Sequence, residues 1–178
     1  MGAHKYNPRA NYYANHPEYK GKDKGYMDVI DRTLPEDLME WQSGAYRYRP
    51  DCWTETGYYD YVGRLVDKYK EVPGSDMTLY RSVLTIKEDN THLGCSWTPE
   101  LEVCREKAAY FGADGIYSIT IPAGTPVVHL EANGFYEEEY ILDMSGLGLV
   151  GVSPSAIATR AEFGVEMVET RPVYAVSQ

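Results

Sequence analysis

The stretch GFYEEEYILD, Gly134 to Asp143, decides how the rest of the chain is read. Three consecutive carboxylates run into Tyr140-Ile141-Leu142, an apolar run of the kind that forms a buried strand. Side chains alternate along a strand, so Glu137 and Glu139 are expected on one face and Glu138 on the other. Two like charges on one face beside a core strand are unfavourable unless a cation belongs there. The other segments are therefore read for what could supply that charge.

The chain has 178 residues, enough for one domain with a substantial core. Hydrophobic residues at 43% and charged residues at 25% exclude general disorder. Seventeen tyrosines against three phenylalanines favour binding surfaces and wet cores, because the ring carries a polar tip. The net charge of −10 argues against broad attraction to nucleic acid or anionic membrane. In residues 1–26, Lys5, Arg9, Lys20, Lys22 and Lys24 against Glu18 and Asp23 leave +3, so the remainder carries −13. Residues 1–25 read as a basic, tyrosine-rich N-terminal arm, solvated or touching a partner, and residues 26–178 as a single domain.

No apolar run approaches the ~20 residues of a membrane span, and no signal peptide is read, so no membrane partner is expected. Gly2 is followed by Tyr6 where a myristoylation motif needs Ser or Thr. Three cysteines, Cys52, Cys95 and Cys104, fit reduced thiols in a cytoplasm. His92 with Cys95 and Cys104 lacks metal-ligand spacing, so no metal is expected.

Along the chain, Tyr26 to Gly44 reads as a helix interrupted by Pro35, and Arg49-Pro50-Asp51 as a turn. Tyr58, Tyr61, Val62, Leu65, Val66 and Tyr69 recur at helical spacing after Thr56-Gly57 and stop before Pro73-Gly74. From Asp76 the period becomes two: Met77, Leu79, Arg81 and Val83 share the face expected to look inward. A buried guanidinium needs an anionic partner; the plainer reading is an arginine that snorkels or pairs with a structural acid. Ser96-Trp97-Thr98 reads as a short strand running into a helix, with Thr98 as N-cap, Pro99 first, Leu101, Cys104, Ala108 and Phe111 on the core side, and Gly112 as the stop. Strands are expected over Ile116–Ile121, Val127–Leu130, the opening stretch, Val165–Val168 and Val173–Val176, with a Gly- and Ser-rich loop after Asp143.

An inward arginine, a Ser-x-Thr strand entering a helix, and a Glu-x-Glu strand thus follow one another. In Leu79-Tyr80-Arg81, Ser96-Trp97-Thr98 and Glu137-Glu138-Glu139-Tyr140-Ile141-Leu142 the chain resembles the Arg-Ser-Glu class of mono-ADP-ribosyltransferases, found in bacterial toxins and phage enzymes. The resemblance covers about Gly57 to Asp143. It implies an α+β fold in which two packed, mostly antiparallel sheets surround an NAD cleft, with N-terminal helices on one side. It also implies an enzyme that cleaves the nicotinamide–ribose bond of NAD and transfers ADP-ribose to an arginine of a target protein, in the cytoplasm of a bacterium or of an infected or intoxicated cell.

By the same resemblance Arg81 takes the pyrophosphate of NAD, with Tyr80, Ser96, Trp97 and Thr98 shaping the pocket. Glu139 stabilises positive charge on the sugar, supported by Ser96, and Glu137 orients the incoming guanidinium. Phe135 and Tyr136 fall in the loop assigned to target recognition; Gly134 stands where many relatives carry an aromatic residue. Two other acceptors keep the same NAD site: water, giving an NAD glycohydrolase, or a nucleic acid. A reading from another class is a non-catalytic acidic module whose glutamates blunt an edge strand.

Overall fold

A computed structural model describes residues 33–83, 94–113, 115–131, 138–150 and 164–170. The arm over residues 1–25, His92, the Phe135–Tyr136–Glu137 segment and the strand expected over Val173–Val176 lie outside the described residues. Among the described residues three α-helices, α1 (Glu36–Ser43), α2 (Glu55–Tyr69) and α3 (Leu101–Phe111), accompany six strands: β1 (Met77–Val83), β2 (Ser96–Trp97), β3 (Gly115–Ile121), β4 (Val127–Leu130), β5 (Glu139–Leu142) and β6 (Gly164–Thr170). The strands form two three-stranded antiparallel sheets, ordered β1-β3-β6 and β2-β5-β4, so the fold class is α+β.

Pro35 sets where α1 starts. The helical pattern expected to be interrupted there resumes at Glu36, and Thr33 and Leu34 lie in a turn before it. A proline ring disfavours helical backbone at the residue it follows, so Leu34 cannot continue an earlier turn of helix into α1. Gly44, left-handed at φ 80°, closes the helix, and the chain continues through two short 3-10 segments, Ala45–Tyr48 and Pro50–Cys52. Thr54 caps α2 by accepting the N–H of Gly57 on its hydroxyl. Tyr59, Tyr61, Val62, Leu65 and Val66 form the buried stripe of α2, which packs on β4 and β5.

β3 is the middle strand of its sheet and is buried on both faces, which is why its sequence reads as a nearly continuous apolar run. α3 packs across β1 and β3. It starts at Leu101, two residues later than a cap at Thr98 implies. The backbone of Thr98 is held extended: its N–H donates to the carbonyl of Tyr80 at 3.0 Å, and its carbonyl accepts from the N–H of Tyr80 at 2.7 Å. With its carbonyl already taken by Tyr80, Thr98 cannot accept the first intrahelical bond as a cap residue does, so its hydroxyl serves the next turn instead, accepting from Glu100 N–H at 3.2 Å.

That pair of bonds has a larger consequence. β1 and β2 are edge strands of different sheets, and the Tyr80–Thr98 bridge joins those edges. A second bridge, Glu71 to Val127, ties the segment after α2 to β4. Leu79, Trp97, Ile119, Ile121, Ile141, Leu142 and Met144 fill the core between these layers. Among the described residues no helix is long and apolar enough to cross a membrane.

Candidate functional site

β5 is paired on both sides. Glu139 lies opposite Leu130 of β4, and Ile141 lies opposite both Val128 of β4 and Ser96 of β2. Alternation therefore sends Glu139 and Ile141 to the buried face, where Glu139 is only 4% exposed. A carboxylate at such a position must find donors, because losing water without replacement is costly. Ser96, one step diagonally across the ladder, donates its hydroxyl to Oε2 of Glu139. The indole N–H of Trp41 donates to the same oxygen at 3.1 Å.

Trp41 comes from α1, 98 residues away in sequence, and is itself buried. Its ring stacks on Tyr46, with centroids 4.5 Å apart and planes 15° apart, and lies within aromatic range of Tyr58 and Tyr61. The tyrosine-rich composition is thus concentrated, in this part of the fold, around the indole that holds Glu139. No spacing in the sequence pointed to Trp41; the nearest signal was its place in an apolar helical pattern.

Arg81 reaches the same point from β1. Its Nη1 donates to the Ser96 carbonyl at 2.8 Å, so Ser96 meets Glu139 with its side chain and Arg81 with its backbone. The bridge between sheet edges makes this possible, since Tyr80 and Thr98 are the chain neighbours that hold β1 against β2. The guanidinium is half-buried and lies flat against Gly94, where any Cβ would overlap Nη2 and Cζ. Burial pushes the phenol of Tyr58 well above its ordinary range, against the opposing pull of Arg81. Burial likewise raises Tyr59 to about 12 and the Cys95 thiol to about 12, so the groups around this arginine stay neutral at physiological pH.

Trp97 and Thr98 take supporting places. Trp97 is 1% exposed and buried in the core, with its indole N–H donated to the Gly94 carbonyl at 2.9 Å. It therefore packs from below, fixing the glycine on which Arg81 rests, and presents no open face for stacking. Thr98 is buried with its backbone committed to Tyr80. Tyr80 is half-buried and alternates away from Arg81 along β1.

Just before β5, Glu138 is also engaged, through one carboxylate oxygen and its backbone N–H. Its Oε1 lies 2.8 Å from Nε2 of His129 and accepts the Tyr140 hydroxyl at 3.2 Å, while the His129 and Tyr140 rings stack at 4.5 Å and 10°. Its backbone N–H donates to Oε2 of Glu100 at 2.8 Å. Burial, then the neighbouring charge of Glu138, raises the Tyr140 phenol to about 12, so it remains a donor.

Three of the four residues expected to act in the reaction, Arg81, Ser96 and Glu139, therefore converge, and Trp41 joins them; Glu137, with Phe135 and Tyr136, lies outside the described residues. Chemically the cluster offers a buried carboxylate that accepts from the neutral donors of Ser96 and Trp41. Beside it stands a guanidinium with five N–H groups, of which the Ser96 carbonyl engages one. Among the described residues no group of three or more His, Cys, Asp or Glu side chains could hold a metal ion. Neither a family model, nor a curated protein, nor a solved structure matches the chain.

Proposed function

We propose that the chain is an NAD-dependent mono-ADP-ribosyltransferase acting on an arginine of a target protein. The observation that carries this reading is the linkage Arg81–Ser96–Glu139, three groups from separate strands meeting through one serine. In this reading the two sheets are the halves of an ADP-ribosyltransferase-like core, and the seam between β1 and β2 is where NAD lies.

Arg81 supplies the cation for the NAD pyrophosphate, which a planar guanidinium can grip through two parallel bonds. Cleavage of the nicotinamide–C1′ bond sends its electron pair to nicotinamide, which leaves neutral, and builds positive charge on the ribose. Glu139 stabilises that charge chiefly in the transition state, because Ser96 and Trp41 already hold it in position. A guanidine nitrogen of the acceptor then bonds to C1′ and loses one proton, which the family pattern assigns to Glu137.

Labelled NAD incubated with the protein and a cell lysate, then treated with protease or nuclease, tests the reading and its acceptor together. Label released by protease is expected. Label released by nuclease moves the acceptor to nucleic acid, and free ADP-ribose alone makes the protein a glycohydrolase. Glu139→Gln is expected to lower turnover about 10²- to 10³-fold while NAD still raises the melting temperature. If the wild type neither binds nor consumes NAD, the transferase reading fails and a non-catalytic acidic module stands in its place.

A further inference from the structure

Glu138 takes no part in the linkage on the other face, yet it makes more described side-chain contacts than a solvated edge residue would. The β4–β5 ladder ends at the Leu130–Glu139 pair. Beyond that point the Glu138 N–H is taken by the side chain of Glu100, at the start of α3, instead of by a strand. The Glu138 carboxylate is meanwhile tied to His129 of β4 and to Tyr140 of β5, whose rings stack on one another. Three elements thus fix one peptide unit at the mouth of β5.

We propose that Glu100, His129, Glu138 and Tyr140 form a clamp that positions the start of β5 and so determines how ADP-ribose divides between arginine and water; this rests on the transferase reading above. Register is the reason such a clamp matters. A one-residue slip exchanges the faces of a strand, and here it would put Glu138 towards Ser96 and turn Glu139 away. Adjacent carboxylates offer little local discrimination between the two arrangements. The clamp adds to the register that buried Ile141 already sets, because residue 138 in its present orientation meets both His129 and Glu100.

The division between acceptors follows from geometry. Hydrolysis needs Glu139 at the sugar, whereas transfer also needs the carboxylate of Glu137, joined to the clamped residue by one peptide bond. A small loss of alignment therefore harms transfer more than hydrolysis, since positioning errors near 1 Å can lower a rate by about two orders of magnitude. Glu100, His129 and Tyr140 are positioning residues, acting through the glutamates on either side of Glu138.

The test compares Glu100→Ala, which removes the acceptor of the Glu138 N–H, with Glu100→Gln, whose amide oxygen still accepts it. Glu100 makes no side-chain cap bond to its helix, and a melting temperature checks that the start of α3 survives its truncation. With agmatine as the guanidine acceptor, Glu100→Ala is expected to lower transfer about tenfold and hydrolysis less than about threefold, at unchanged KM for NAD. Glu100→Gln should behave as wild type. Amide exchange by NMR should be faster at Glu138 in Glu100→Ala than in Glu100→Gln. An unchanged ratio of transfer to hydrolysis overturns the proposal, and so does unchanged exchange at Glu138. A wild type that leaves NAD intact but shows the exchange difference removes the transferase reading, and acceptor control with it, while leaving the clamp as a physical feature of β5.

Discussion

Gly94 does its work by lacking a side chain. The Arg81 guanidinium rests where a Cβ would stand, and the carbonyl of the same glycine accepts the Trp97 indole. Gly94→Ala should therefore displace the far end of a flexible arginine and leave the core packing alone, since no backbone atom is among its close neighbours. The expected outcome is a melting temperature close to wild type with NAD affinity reduced about tenfold or more, read by titration calorimetry. An unchanged affinity would place NAD away from Arg81. Trp97 illustrates what a short strand leaves open: Ser-Trp-Thr marks the strand, but alternation in a two-residue strand cannot say that the indole is the buried member.

Among the elements, the strands and α2 were legible because their signals are local. Period-two spacing over Met77–Val83 places Arg81 with Leu79, and helical spacing from Tyr58 to Tyr69 marks the stripe of α2. The start of α3 was not, because Thr98 is claimed by Tyr80 across the seam, a contact no helix signal encodes. The part played by α1 was invisible for the same reason: Trp41 meets Glu139 only after the helix docks. Trp41→Phe tests that contact. The ring stack on Tyr46 is kept, while the N–H to Glu139 is lost. Removing a described donor on a positioned carboxylate should lower kcat about tenfold with KM for NAD nearly constant, measured by steady-state NAD consumption. Equal changes in kcat and KM would instead indicate general loosening of the fold.

At the scale of the whole molecule, the site depends on two assemblies that composition and periodicity cannot specify: the joining of two sheet edges at Tyr80–Thr98, and the side-chain hydrogen bonds that tie α1 to α2. Asp37 is central to the second. Its carboxylate accepts the Tyr69 hydroxyl at 2.6 Å and the Lys68 ammonium at 3.3 Å, both at the end of α2, and the N–H of Leu38 at 3.0 Å. Burial favours the protonated acid, but the phenol, the ammonium and the N–H outweigh it, so its pKa lies below the ordinary carboxylate value. The sign follows from linkage. A carboxylate whose folded pKa is depressed adds stability above its unfolded pKa of about 4, and that stability is lost as pH falls through the folded value. Asp37→Asn should therefore lower stability by about 1 kcal/mol at neutral pH, with the difference closing below about pH 4 as wild type protonates. Urea unfolding from pH 7 to pH 3 measures it. Because α1 carries Trp41, the same substitution should weaken the hold on Glu139 before the core opens, so NAD turnover should fall at urea concentrations where the buried strands remain folded. Loss of turnover coincident with global unfolding would show instead that α1 and the sheets form one cooperative unit.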